Sequence, residues 1–161
     1  ETSRLWRETV QSLEKNYPEV KVSYEFVDAV AMRLVQWPNS YDVLITENLF
    51  GDILTDEASV ISGSMGLMPS ASVGLKTSLY EPIHGSYPQA TGKNIANPLA
   101  TILSAAMMFE DTFNLKEEAD LIRRVVDSSL EKSIVTEDLA DGNKAFKTSE
   151  IGDWLAKEIL S

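Results

Sequence analysis

Apolar residues recur along the chain at two spacings, one typical of helices and the other of strands. Repeats of three and four residues predict amphipathic helices at residues 3–16, 29–36, 98–113, 116–133 and 149–160, and in the segment that starts with ENLFGDILTDE at residue 47. Alternating or continuous apolar runs predict strands at residues 20–27, 41–46, 71–75 and 78–81. Strands that alternate with helices predict an α/β fold. Glycine and proline become frequent after residue 62, so we predict two lobes, residues 1–62 and 63–161.

Two carboxylates share one face of the helix predicted after residue 47. Asp52 and Asp56 stand four residues apart, so a helix places both side chains in a narrow arc opposite an apolar one. Such a pair forms either a solvated polar stripe or a site for Mg²⁺ or Mn²⁺, which bind carboxylate oxygens. Gly51 indicates that the pair lies in the first turns, where the helix dipole favours negative charge. Asp28, at the C-terminal end of a predicted strand, is a third candidate, because α/β sheets bind ligands at that edge.

A second candidate site is the loop EPIHGSYPQATGKNIANP at residues 81–98. It is not a G-x-G-x-x-G fingerprint, because Gly85 and Gly92 are too far apart for one phosphate-binding turn. Asn97 before a proline predicts a helix N-cap and a first helical turn. That helix N-terminus lies close in sequence to the only histidine of the chain, His84, and helix N-termini attract phosphate groups. We therefore favour nucleotide contact over a purely structural histidine.

Composition narrows the range of partners. The chain has 14 Lys and Arg against 25 Asp and Glu, a net charge of −11, which repels a phosphate backbone and predicts no nucleic-acid partner. Cysteine is absent, which excludes disulfides and thiolate metal sites and fits a cytoplasmic location. No apolar run approaches the roughly 20 residues that cross a bilayer, so we predict no membrane insertion. A helical pattern starts immediately after Glu1, and we expect the chain to be part of a longer polypeptide.

Five motifs carry a resemblance to one enzyme family. They are SRLWRE at residues 3–8, ENLFGDILTDEAS at 47–59, GSMGLMPSAS at 63–72, LYEPIHGS at 79–86 and GKNIANPLATILSAAMM at 92–108. Together they resemble the isocitrate/isopropylmalate dehydrogenase family of β-decarboxylating enzymes, and within it the isopropylmalate branch. The resemblance extends over the C-terminal half of the family's polypeptide. It implies a fold of two α/β lobes, incomplete in this chain, which crosses from the second lobe to the first near residue 62.

The resemblance implies a Mg²⁺ or Mn²⁺ site shared between the two subunits of a homodimer. Asp52 and Asp56 would bind the metal, and Asp28 would complete the site from the other subunit and contact the substrate. The helices that begin near Ala29 and Asp52 resemble the pair that forms the family's intersubunit four-helix bundle. Glu57, inside the apolar arc, would then be paired across the interface, and a salt bridge at its rim is the alternative.

The resemblance also implies that the 81–98 loop binds NAD, with His84 against the adenine and the following backbone around the ribose and phosphates. Gln89 stands where NAD-preferring members usually carry an aspartate, but the Lys-Tyr pair typical of NADP-preferring relatives is absent, since Ala90 comes next. We therefore predict NAD. The predicted cofactor-binding residues are His84, Gly85, Ser86, Tyr87, Gln89, Gly92, Asn94 and Asn97.

The activity implied is the NAD-dependent oxidative decarboxylation of 3-isopropylmalate to 2-oxoisocaproate in leucine biosynthesis. The family's catalytic lysine and tyrosine lie upstream of Glu1, so we expect the 161-residue chain alone to be inactive. Two alternatives remain. One is a sister activity on isocitrate, homoisocitrate or tartrate, because the helix that selects the substrate lies outside the chain. The other is a non-catalytic module that binds metal and dimerises.

Overall fold

The computed structural model describes all residues from 1 to 161 and contains six α-helices and two β-strands. The five predicted helices whose ends the sequence defined are all present, with bounds shifted by no more than two residues. The predicted α/β class is confirmed, although helices form most of the regular structure. The helices are α1 (Thr2–Glu14), α2 (Val27–Gln36), α3 (Asn48–Ser62), α4 (Leu99–Asp111), α5 (Lys116–Glu131) and α6 (Thr148–Ile159), and the strands are β1 (Pro69–Val73) and β2 (Ser78–Pro82).

Strands β1 and β2 form an antiparallel hairpin that packs against α4. Pro69 pairs with Pro82 at the open end of the hairpin, and Val73 pairs with Ser78 next to the turn. Proline at the end of a strand removes no central ladder hydrogen bond, so both prolines are tolerated. The two strands predicted in this part of the chain are therefore confirmed, and the first begins two residues earlier than predicted.

The main hydrophobic core lies between α4, α5 and α6. Leu99, Val126 and Ile151, one from each helix, are at most 2% exposed. They pack with Val125 and Leu155 in one cluster. Because each helix contributes apolar residues spaced three or four apart, burial of this cluster holds the three helices together.

Helix α4 turns part of its apolar surface toward the core. Leu99 and Ala106 are completely buried. Phe113 belongs to the helix predicted at residues 98–113, but it lies beyond the end of α4 and is exposed. Its ring contacts Phe109 at a centroid separation of 6.2 Å. Helical periodicity does not extend to a residue outside the helix, which explains the error.

A second, smaller cluster joins α2 to α3. Val30 and Leu34, one helical turn apart on α2, pack against Leu54 of α3. Helix α3 ends at Gly63, whose φ of 91° lies in the left-handed region that glycine adopts without strain from a Cβ atom. In the sequence, one hydrophobic cluster lies before residue 62 and the other lies after it. The boundary between lobes at that residue stays a prediction.

Two predicted strands are absent. Residues 20–27 and 41–46 pair with no other segment, and the hairpin is the one sheet in the chain. A strand needs a neighbour that accepts and donates its backbone hydrogen bonds, and the chain offers none to either segment. Val43 and Ile45 are 79% and 76% exposed, so the rest of the chain does not cover the apolar run at residues 41–46.

Helix α1 and the outer face of α3 leave apolar side chains exposed. No residue of α1 is buried, and Leu5 is 65% exposed. On the apolar arc of α3, Ile53 and Val60 are exposed, whereas the polar residue Ser59 is buried. The arc is therefore only partly covered within one chain. None of the helices combines the length and apolar character that a bilayer crossing requires.

Truncation of Ile151 to alanine should destabilise the chain strongly, because this side chain is completely buried in the main core. We expect the free energy of unfolding to fall by about 2–5 kcal/mol, measured by urea denaturation followed by circular dichroism. Leu160→Ala is the control, since Leu160 is 87% exposed just beyond α6, and it should change the value by less than about 0.5 kcal/mol. Equal losses in the two variants would contradict the assignment of the core.

Candidate metal and cofactor sites

Helix α3 presents the two predicted metal-binding aspartates to solvent. Asp52 and Asp56 are both exposed, and neither takes part in a salt bridge. Asn48 Nδ2 donates a hydrogen bond to Asp52 Oδ2 at 3.3 Å. Because α3 begins at Asn48, its first turn holds no acidic residue. The predicted support from the helix dipole is therefore wrong, since that effect is confined to the terminal turn.

Asp28 lies in the first turn of α2 rather than at the end of a strand. Its Oδ1 accepts a hydrogen bond from the Ala29 backbone N–H at 2.8 Å, and the side chain is exposed. Within one chain, no three acidic or histidine side chains lie close enough to hold a metal ion. The predicted site takes Asp28 from a second subunit, so it stays a prediction. As donors, exposed carboxylates without a cationic partner fit Mg²⁺ or Mn²⁺.

Glu57 is half-buried on α3 and forms no salt bridge within the chain. Its predicted partner, across a subunit interface or at its rim, would have to come from a second copy. Both alternatives therefore stay predictions.

The predicted cofactor loop runs from the end of β2 to the start of α4 and presents much of its length to solvent. His84 is half-buried, and its Nδ1 lies 3.0 Å from the Gly85 carbonyl oxygen, which can only accept. Gly92 has a φ of 73°, and a Cβ atom built on either Gly85 or Gly92 would meet no atom within 4 Å. The open space beside both glycines fits a bound ligand. The exposed predicted residues of this loop are Gly85, Ser86, Tyr87, Gln89, Gly92 and Asn94.

Asn94 anchors the loop to the N-terminus of α6. Its Oδ1 accepts from the Ser149 backbone N–H at 3.0 Å, and its Nδ2 donates to Ser149 Oγ at 2.8 Å. Its carbonyl oxygen accepts from the Thr148 backbone N–H at 3.1 Å. With a φ of 56°, Asn94 occupies a conformation that asparagine tolerates better than most residues. This anchoring function was missed from the sequence, and direct contact between Asn94 and a cofactor stays a prediction.

Asn97 caps α4 as predicted. Its Oδ1 accepts from the Leu99 backbone N–H at 3.0 Å, and the intervening Pro98 already has helical backbone angles. Its Nδ2 donates to Asp138 Oδ2 at 3.0 Å. The side chain therefore satisfies the first turn of the helix on one side and a carboxylate on the other.

The Asp138 carboxylate is the centre of a hydrogen-bond network that the sequence did not indicate. It accepts hydrogen bonds from Asn97, from the Ser64 hydroxyl and, at 2.5 Å, from the Thr136 hydroxyl. Ser64 and Asn97 are 74 and 41 residues away in the sequence, so no local pattern could have identified the group. Partial burial alone would raise the pKa of Asp138, but the hydrogen bonds from Ser64, Thr136, Asn97 and its own backbone outweigh burial and lower the pKa.

Comparison with known proteins identifies the family of the chain. The family model described as isocitrate/isopropylmalate dehydrogenase matches residues 1–155, and the chain belongs to this family. The resemblance inferred from the motifs is thereby confirmed.

Curated relatives support the isopropylmalate branch. The chain is 55% identical over 159 residues to a protein named 3-isopropylmalate dehydrogenase from Bacteroides fragilis, with 98% of the chain and 45% of that protein aligned. It is 52% identical over 161 residues to a protein of the same name from Carboxydothermus hydrogenoformans, with 99% of the chain and 43% of that protein aligned. The chain thus spans about 45% of the length of these relatives.

Solved structures share the arrangement of the chain. The model aligns with an isocitrate dehydrogenase from Methylococcus capsulatus at a TM-score of 0.94 and 36% identity, covering 99% of the chain and 47% of that protein. A β-decarboxylating dehydrogenase from Thermococcus kodakarensis aligns at a TM-score of 0.80 and 36% identity, covering 98% and 45%. The fold assignment to this family is therefore supported by the coordinates as well as by the sequence.

Acidification should remove the stabilisation that Asp138 provides. Because its pKa is lower in the folded state, the contribution is fully present above the ordinary aspartate value of about 3.9 and disappears as the pH falls through the folded-state value. The difference in unfolding free energy between the native sequence and Asp138→Asn should therefore be constant near neutral pH and shrink below about pH 4.

The measurement is urea denaturation at several pH values. Asp153→Asn is the matched control, because Asp153 is exposed on α6 and makes no salt bridge or side-chain hydrogen bond in the chain. A difference for Asp138→Asn that stays constant at acidic pH would contradict the lowered pKa.

Proposed function

We propose that the protein to which this chain belongs catalyses the NAD-dependent, metal-assisted oxidative decarboxylation of 3-isopropylmalate to 2-oxoisocaproate in leucine biosynthesis. The observation that carries the proposal is 55% identity over nearly the whole chain to a protein named 3-isopropylmalate dehydrogenase. Identity to the solved isocitrate dehydrogenase is lower, at 36%. The cytoplasm is the proposed location, a prediction that rests on composition alone.

In the proposed site, α3 supplies Asp52 and Asp56 as ligands of a divalent cation. A bound Mg²⁺ or Mn²⁺ supplies Lewis-acid polarisation of the C2 oxygen of the hydroxy acid. The two aspartates orient that ion through oxygen atoms that no salt bridge engages. Asp28, on the first turn of α2, would approach from a second subunit and contact the substrate.

A homodimer is proposed because each chain lacks a complete set of ligands. Apolar side chains of α3 remain exposed beside the two aspartates, among them Ile53 and Val60. Burial of such a face against a second copy would remove this apolar area from water. The same contact would bring Asp28 of one subunit toward Asp52 and Asp56 of the other, so dimerisation would be a condition of activity.

The loop between β2 and α4 is proposed to bind NAD. The half-buried His84 would contact the adenine, and the open space beside Gly85 and Gly92 would admit the dinucleotide backbone. Gln89 is exposed and can hydrogen-bond a ribose 2′-hydroxyl, although its neutral side chain does not repel a 2′-phosphate. Asn97 is held at the end of the loop by the cap of α4 and by Asp138.

A sister activity on isocitrate is the second candidate, favoured by the TM-score of 0.94 with a solved isocitrate dehydrogenase. Steady-state assays of the full-length gene product with Mg²⁺ separate the two. We expect kcat/KM for 3-isopropylmalate to exceed that for isocitrate, homoisocitrate and tartrate by at least about 100-fold, and NAD to be preferred to NADP. The 161-residue chain alone should reduce no NAD. The third candidate, a non-catalytic metal-binding module, predicts the same result. Preference for another hydroxy acid would overturn the proposed substrate.

Asp52→Asn should remove divalent-metal binding in the full-length gene product. The substitution replaces an anionic oxygen ligand with a neutral amide on the exposed face of α3, so we expect the Kd for Mn²⁺ to rise by at least about 100-fold, or about 2.8 kcal/mol. Isothermal titration calorimetry measures this directly.

Asp153→Asn is again the control, since it removes the same charge from an exposed position on another helix. It should bind Mn²⁺ like the native sequence. Native affinity in Asp52→Asn would show that the metal lies elsewhere.

A further inference from the structure

Asp138 connects three parts of the chain that are distant in sequence. Its Oδ2 accepts from Asn97 Nδ2 at 3.0 Å and from the hydroxyl of Ser64. Its Oδ1 accepts from Thr136 Oγ1 at 2.5 Å. Thr136 is completely buried, which fixes the carboxylate relative to the main body of the chain. Both carboxylate oxygens therefore have partners, and two of the three donors come from other segments.

The carboxylate determines how the Asn97 amide is oriented. An ionised carboxylate can only accept hydrogen bonds, so the NH₂ group of Asn97 must face Asp138. The amide oxygen is thereby directed to the Leu99 backbone N–H, 3.0 Å away. The opposite amide orientation would place the Asn97 oxygen against a carboxylate oxygen, which is unfavourable. Loss of the charge at residue 138 would remove this penalty. Asp138 thus selects one of two orientations at the end of the cofactor loop.

The turn that follows α3 packs directly on Asn97. Ser64 Oγ accepts from the Gly66 backbone N–H at 3.0 Å. Gly66 is buried, and a Cβ atom at this position would come within 2.5 Å of the Asn97 Cβ. Only glycine allows this approach. The helix that carries the proposed metal ligands is therefore followed, within a few residues, by a contact with the end of the cofactor loop.

We propose that Asp138 is a positioning residue that acts through Asn97, holding the end of the cofactor loop in fixed register with the turn after α3. This inference rests on the proposed function and deepens it. A residue outside the loop determines the geometry in which the loop binds the dinucleotide. In this proposal Asp138 acts through other residues and not by direct contact with substrate or cofactor. Its effect is on the orientation of the Asn97 amide and on the distance between two segments.

The first test compares Asp138→Asn and Gly66→Ala with the native sequence in the full-length gene product. The first substitution removes the charge that orients Asn97, and the second displaces Asn97 from the opposite side through the added Cβ. We expect both to raise the KM for NAD by about tenfold or more, the effect of losing one well-placed hydrogen bond to a charged group. The kcat at saturating NAD and the KM for the hydroxy acid should change by less than about threefold. Asp153→Asn should leave all three constants unchanged.

The second test is hydrogen exchange on the free protein, which does not depend on activity. In Asp138→Asn, exchange should accelerate in residues 63–68 and 83–99 and around the substituted residue at 136–139, and stay native elsewhere, since only these segments lose a hydrogen bond. An unchanged KM for NAD with unchanged exchange would overturn the proposal. So would a fall in kcat accompanied by faster exchange throughout the chain, which is the result expected of a purely structural aspartate.

The two experiments separate the inference from the proposed function. If the native full-length product reduces no NAD with any of the hydroxy acids, the proposed function fails on that result alone. Exchange then decides the positioning function, because acceleration confined to residues 63–68, 83–99 and 136–139 still supports it. Uniform acceleration, or none, overturns it.

Discussion

The complete burial of Leu99 in the first turn of α4 is the constraint on which the candidate cofactor loop depends. Its side chain belongs to the core cluster with Val126 and Ile151, so the start of the helix cannot move without opening the core. Its backbone N–H is capped by Asn97 Oδ1, which transfers the rigidity of the core to the end of the loop. Asp138 then fixes the other side of Asn97. Core packing, helix capping and one charged hydrogen bond together thus fix the position of the end of the loop.

Hydrogen bonds hold the second half of the loop, whereas the first half is open to solvent. Asn94 and Asn97 are tied by hydrogen bonds to Ser149 and Asp138, whereas Gly85 and its neighbours are exposed, with free space beside them. A ligand bound along this loop would therefore meet a preorganised end and an adaptable beginning. Preorganisation lowers the ordering cost of binding, and this arrangement suits a long ligand such as a dinucleotide.

The part of the chain before residue 62 depends much more on contacts outside itself. Its small cluster of Val30, Leu34 and Leu54 holds α2 against α3, while α1 buries nothing. The chain spans about 45% of the length of its relatives, and most of its exposed large apolar side chains lie between residues 5 and 65. The segment at 41–46 has an apolar sequence typical of a strand, but no neighbouring segment pairs with it.

The sequence by itself determined the helices, the cap at Asn97 and the common face of Asp52 and Asp56, because helical periodicity and capping depend on residues at most a few positions apart. It also determined the family, through long motifs. Only the tertiary structure decided that residues 20–27 and 41–46 remain unpaired, since a strand exists only where a distant segment supplies hydrogen bonds. It alone placed Asp138 against Ser64 and Asn97, because contacts over 74 and 41 residues leave no trace in local spacing.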